Sequence, residues 1–160
     1  METRDRNRSG KGMKIKFKRI HPDAVAPIRA TDGAAGWDLT AIQTEFDTRI
    51  VNKEACFSES VVYHTGLSVE IPKGYIGLLF ARSSCWKQGM ILANCVGVID
   101  PDYRGEIKAR FWYKQDYPGY TDGDRVAQLV IVPALEIDFE ESDTLSETKR
   151  GDGGFGSTGK

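Results

Sequence analysis

Short runs rich in β-branched and aromatic residues recur along this chain, and no stretch keeps a helical period. That recurrence restricts the fold more than any other feature. From Met13, MKIKFKRI alternates apolar and basic residues in the manner of a half-buried strand. VVYHTGLSVEI, YIGLLFA, MILANCVGVI, IKARFWYK, RVAQLVIV and LEIDFE follow, separated by turn clusters such as PKG, DPDYRG and DYPGYTDGD. The spacing predicts an all-β, jelly-roll-like antiparallel domain over residues 13–140, with a turn or two of helix around Ser84 to Gln88. Residues 1–12, polar and basic, read as a disordered extension. Residues 141–160 read as a solvated acidic linker running into the glycine-rich arm RGDGGFGSTGK, too rich in glycine to hold a helix or strand alone.

Charge and cysteine content narrow the function. A net charge of −1 provides no bulk field for a nucleic-acid polymer or an anionic membrane, so an anionic ligand must be held by local geometry. No apolar run reaches the roughly 18 residues of a membrane span. The three cysteines, Cys56, Cys85 and Cys95, lack CxxC spacing, and with only His21 and His64 beside them a zinc site is not expected. Reduced thiols and the absence of a secretory segment at the start point to a cytoplasmic setting.

Five stretches break the plain strand-and-turn pattern. AGWDLTA places Asp38 among apolar residues, as a strand-edge cap or as a site carboxylate. ARSSCW follows an apolar strand and gathers Arg82, Ser83, Ser84 and backbone N–H groups, either as a phosphate-binding turn or as a serine cap beside a surface arginine. In NCVGVIDPDYRGE a strand ends in Asp100, a carboxylate able to serve as a general base; Asp102 reads as a turn former. GDRVAQLVIVP carries Gln128 inside an otherwise apolar strand, where it needs a partner or a ligand. The arm offers Arg150, convergent glycine N–H groups, the hydroxyls of Ser157 and Thr158, and Phe155 for stacking; composition alone also fits a plain tail.

Taken in order, these stretches resemble the five motifs of the trimeric dUTPase family, over Ala35 to Gly159. The resemblance implies a homotrimer of jelly-roll subunits with shared active sites, hydrolysing dUTP to dUMP and pyrophosphate with Mg²⁺ carried by the triphosphate. It implies that Asp100 activates the attacking water and that Tyr103 packs under the deoxyribose. Asn94 and the backbone of Gly97, Val98 and Ile99 would read uracil, with Lys108 lining that pocket. Arg82, Ser83, Ser84 and Gln128 would hold phosphates, and Asp38 would reach the metal only through water. Arg150, Phe155, Gly156, Ser157 and Thr158 would belong to a flexible lid closing over a neighbouring subunit's site, with Phe155 stacking on the base.

The sequence departs from the family pattern at Ala81, at Cys85-Trp86 and at Asp152, none of which removes a group with an implied catalytic role. The related dCTP deaminases use a glutamate a few residues beyond the same turn, where this chain has Arg110. A non-catalytic or regulatory nucleotide-binding module of the same fold is the reading of another class; the retained Asp100 and arm weigh against it.

Overall fold

The structure, a computed structural model, describes residues 12–47, 59–114 and 116–155. Cys56, Gly156, Ser157, Thr158 and all but the last residue of the 1–12 extension lie outside them. The described chain forms ten strands: β1 (Lys16–Arg19), β2 (Trp37–Thr40), β3 (Gln43–Asp47), β4 (Glu59–His64), β5 (Leu67–Glu70), β6 (Tyr75–Ala81), β7 (Met90–Leu92), β8 (Gly97–Ile99), β9 (Lys108–Tyr113) and β10 (Arg125–Pro133). A single 3-10 turn, Cys85–Gln88, is the one helical element among them, where the sequence predicts it.

Two four-stranded antiparallel sheets, ordered β2-β10-β6-β8 and β3-β4-β9-β7, enclose the core, and β1 pairs with β5 in a separate ribbon. Strand alternation sends one face of each sheet inward. Ala109 and Phe111 of β9 are buried while Lys108 and Arg110 are exposed. Leu39, Leu79 and Leu129 from the first sheet meet Val61, Tyr63 and Phe111 from the second in one core. The neighbours in the first sheet are distant in sequence, which suits a jelly-roll rather than a meander. Tyr63, Phe111 and Tyr120 pack edge to face, with ring centroids 5.9–6.1 Å apart. Burial pushes the Tyr63 phenol up to about 12.

Three readings of the sequence change in detail. MILANCVGVI is not one strand: Cys95 adopts a left-handed φ of 59°, and the chain crosses from β7 in one sheet to β8 in the other. MKIKFKRI pairs as predicted but is exposed along all of β1 rather than half-buried. LEIDFE, expected as a strand, lies beyond the end of β10 and pairs with nothing in the described chain. Its Leu135, Ile137 and Phe139 remain exposed at every second position.

Candidate active site

The segment from Asn94 to Lys108 folds around two adjoining cavities. One, of about 390 Å³, is lined by Asn94, Gly97, Val98, Ile99 and Lys108, with Arg110 on its wall. The other, of about 300 Å³, shares Val98, Ile99 and Lys108 and adds Asp100 and Tyr103. Gly97 is buried against Leu79, and a Cβ there would sit 3.1 Å from the Leu79 Cβ and 3.4 Å from the Asn94 amide nitrogen. The tight approach is to Leu79, which would have to give way to any larger residue. Beyond Asp100 the chain turns, the Tyr103 N–H donating to the Asp100 carbonyl at 3.2 Å. The Tyr103 ring then folds back over Gly105, and its hydroxyl donates to the Glu106 carbonyl at 3.0 Å. A Cβ on Gly105 would lie 2.4 Å from that hydroxyl, so the glycine sets where the ring rests. All seven residues that sequence reasoning assigns to base, sugar and water therefore meet at one place. Arg110, on the wall of the larger cavity, donates from its guanidinium to Ser60 Oγ at 3.1 Å.

A second cluster forms where β2, β10 and the end of β6 converge. Asp38 accepts from Arg82 Nε at 3.2 Å and from an Arg125 guanidinium nitrogen at 2.9 Å, with its own side chain only 10% exposed. A bulge makes this possible. Gln128 faces Asp38 across the β2–β10 ladder, and in regular alternation Arg125 would project to the opposite face. The register shifts between Arg125 and Ala127, so Arg125 pairs with Thr40 and shares the Asp38 face. Arg82 also bonds the Arg125 carbonyl at 3.2 Å. It is thus a fixed arm of the cluster, not a free surface arginine. Ser84 stands at the N-cap of the 3-10 turn, yet its side chain makes no capping bond. Gln128 donates to the Ala81 carbonyl at 3.2 Å and fills the space over Gly36, where a Cβ would lie 2.7 Å from its amide oxygen. One of its two amide hydrogens is thus taken within the protein, and the other is left to a ligand. Among the described residues no three His, Cys, Asp or Glu side chains gather to hold a metal ion.

Sequence reasoning missed a third group. His64 bridges two carboxylates, Nδ1 to Glu106 at 3.0 Å and Nε2 to Glu45 at 3.1 Å. Glu106 also accepts the Gly66 N–H at 2.8 Å and faces Lys108 Nζ at 3.7 Å, tying the wall of the cavity to β4. Burial works against the Glu106 charge, but the Gly66 N–H, His64 and Lys108 together outweigh it and hold the carboxyl below its ordinary 4.5. A depressed folded pKa gives stability that is fully present above the unfolded value and lost as pH falls through the folded one. Wild-type protein is therefore expected to lose melting temperature more steeply below about pH 4.5 than Glu106→Gln. Parallel melting curves for the two proteins across the acid range would show that this network contributes no such stability.

The two main clusters sit at different points along β6. Ile99 pairs opposite Gly77 on β6, whereas Arg82 lies just past the other end of that strand. Five residues at about 3.3 Å each put roughly 17 Å along the strand between Arg82 and the position opposite Ile99, and three put roughly 10 Å between Arg82 and the position opposite Gly97. Asp100, one residue beyond Ile99, is farther still. The described part of the arm, residues 150–155, joins neither cluster: Arg150 Nε donates to the Gly153 carbonyl at 2.8 Å, and Phe155 is fully exposed.

A family model described as dUTPase matches residues 23–159. The deoxyuridine 5'-triphosphate nucleotidohydrolase of Hydrogenobaculum sp. (strain Y04AAS1) is 40% identical over 149 residues, covering 92% of this chain and 99% of that protein. The one from Escherichia phage T5 is 41% identical over 150 residues, covering 91% and 98%. Among solved structures, the Staphylococcus bacteriophage 80alpha dUTPase with dUPNHPP superposes with a TM-score of 0.75 at 27% identity, covering 91% of this chain and 98% of that one.

Proposed function

The chain belongs to the dUTPase family and hydrolyses dUTP to dUMP and pyrophosphate; from that premise we propose which of its residues perform the reaction and that three subunits share each site. The dUPNHPP held by the bacteriophage 80alpha relative supports a nucleoside triphosphate in the same place. The observation that carries the reading is the paired cavity around β8, where one compartment suits a base and the next brings Asp100 beside Tyr103. Asn94 and the backbone of Gly97, Val98 and Ile99 read uracil, with Lys108 on the wall. The Tyr103 ring, held against Gly105, underlies the deoxyribose and leaves no room for a 2′-hydroxyl. Asp100 takes a proton from water, the water oxygen bonds to the α-phosphorus, and the bond to the β-phosphate bridging oxygen breaks, releasing pyrophosphate.

Arg82, Ser83, Ser84 and Gln128 hold the phosphates of a substrate whose base sits in another subunit. Arg82 stands roughly 10 Å along β6 from the position opposite Gly97 and roughly 17 Å from that opposite Ile99, with Asp100 beyond it, so the residues assigned to the phosphates and to the attacking water stand apart in a single chain, which supports this division. The exposed alternation of Leu135, Ile137 and Phe139 supports it too, as an apolar edge that a second copy would cover. Arg150, Phe155, Gly156, Ser157 and Thr158 close over the assembled site, Phe155 stacking on uracil. Mg²⁺, which would neutralise charge on the departing pyrophosphate, fits a chain that leaves the ion to the substrate's own oxygens: both Asp38 oxygens already face guanidinium groups, so only a water-mediated contact is left to it. Free Cys85 and Cys95 support a reducing, cytoplasmic setting, and no helix among the described residues is long and apolar enough to cross a membrane.

A product assay on dUTP, dCTP, dTTP and UTP with Mg²⁺ tests the assignment. Only dUTP is expected to give the monophosphate and pyrophosphate. Turnover of UTP at a comparable rate would remove the sugar filter from Tyr103, and deamination of dCTP would remove the catalytic role from Asp100.

A further inference from the structure

Tyr120 carries a polar atom that the fold does not use. The residue is 7% exposed, and its hydroxyl is buried without a hydrogen-bond partner. Leaving such a group unpaired costs stability, so its persistence calls for a reason. The rest of the residue is firmly held: its N–H donates to the Tyr63 hydroxyl at 3.1 Å, and that hydroxyl donates to its carbonyl at 3.0 Å. The ring stands edge-on to Tyr63 and Phe111 in the centre of the core, and it has no freedom to turn its hydroxyl toward water.

What lies beside that hydroxyl is the phosphate-binding turn. Burial raises the Tyr120 phenol above its ordinary 10.0, while the Ser84 side chain pulls it back, with Cys85 and Arg82 also within electrostatic range. The Ser84 contact falls short of a formed hydrogen bond. Ser84 in turn has a hydroxyl not spent on capping its own 3-10 turn. The loop leading to Tyr120 is braced on the far end of the same turn, where Lys114 N–H donates to the Gly89 carbonyl at 2.9 Å and Tyr117 packs over Gly89. The partnerless Tyr120 hydroxyl thus lies near the Ser84 side chain, which makes no capping bond, at the base of the segment that carries Arg82.

We propose that Tyr120 is a positioning residue for the phosphate-binding turn, its buried hydroxyl closing a hydrogen bond to Ser84 when the triphosphate is bound. The proposal rests on the reading of Arg82, Ser83 and Ser84 as phosphate ligands. In the free protein the hydroxyl is an unsatisfied group; in the complex it holds the serine, and with it the turn, against the substrate. A hydrogen bond made in a dry interior is stronger than one in water, which suits it to fixing a group under load.

The sign of the effect separates this role from a structural one. Tyr120→Phe removes a buried hydroxyl that bonds nothing in the free protein, so melting temperature is expected to stay level or rise. The same variant is expected to lower kcat/KM for dUTP about 3- to 10-fold. Ser84→Ala is expected to lower it as well, and the double variant to be no worse than Ser84→Ala alone. An unimpaired Tyr120→Phe beside an impaired Ser84→Ala would overturn the proposal and leave the phosphate reading standing. Additive losses, or a melting temperature that falls together with activity, would overturn it too. Wild-type kinetics in Ser84→Ala and in Arg82→Gln would sink the phosphate reading itself, and the proposal with it.

Discussion

Asp100→Asn is expected to lower turnover of dUTP by roughly 10²- to 10⁴-fold while leaving the affinity for a non-hydrolysable analogue and the melting temperature near wild type. The change keeps the shape of the side chain and removes its ability to take a proton. Structure argues that little else changes. Asp100 is exposed at the lip of the cavity, and it is the backbone carbonyl, not the carboxylate, that closes the turn to Tyr103 at 3.2 Å. Phe155→Ala is the contrasting case: if this fully exposed ring outside both clusters acts by stacking, as proposed, its loss is expected to weaken binding by up to about tenfold with a smaller effect on the chemical step. Single-turnover rates measured beside analogue binding separate the two. Equal loss of binding in both variants would contradict the division of labour.

Asp38→Ala is expected to be the most destabilising of the site substitutions. It leaves Arg82 and Arg125 facing each other without the carboxylate that joins them at 3.2 and 2.9 Å. Removing one member of a buried ion pair costs about 3–5 kcal/mol; with the guanidinium side chains 26% and 41% exposed, solvent screens part of this and about 2–3 kcal/mol is expected. For a domain of this size that corresponds to a fall in melting temperature of roughly 10 °C. Affinity for pyrophosphate is expected to fall with it, since Arg82 loses the contact that aims it. A melting temperature within about 2 °C of wild type would show that the cluster is no keystone of the fold.

The sequence made the architecture legible wherever alternation and turn chemistry coincide. IKARFWYK and RVAQLVIV read as strands and are strands, because each buries one face on a shared core. MILANCVGVI misled because its break falls at Cys95, which takes a left-handed conformation with no glycine or proline to announce it. LEIDFE keeps the period of a strand, but a period shows which face is apolar and not what covers it. The site divided in the same way. The residues around β8 lie within one short segment and could be grouped by motif alone. The Asp38 cluster joins residues 44 and 87 positions apart, and it depends on a bulge that leaves no mark in RVAQL. His64 and Tyr120 were silent for a related reason: an ordinary core histidine or tyrosine has the same local sequence, and only the neighbours brought by other strands set these apart.

β6 carries the proposed base cavity alongside its middle residues, Gly77 to Leu79, and the proposed phosphate turn just past its last residue. When sites are pooled among subunits, those few residues connect two different substrate molecules, one at each end. A chain with a damaged β6 is then defective toward two neighbours at once, and it dilutes the working population more than its own share. Complementary defects behave in the opposite way: a chain spoiled only at its cavity and another spoiled only at its turn can still assemble one sound centre between them. In such an assembly, inheritance of activity in mixed populations would belong to the whole, with dominance and rescue both following from one strand.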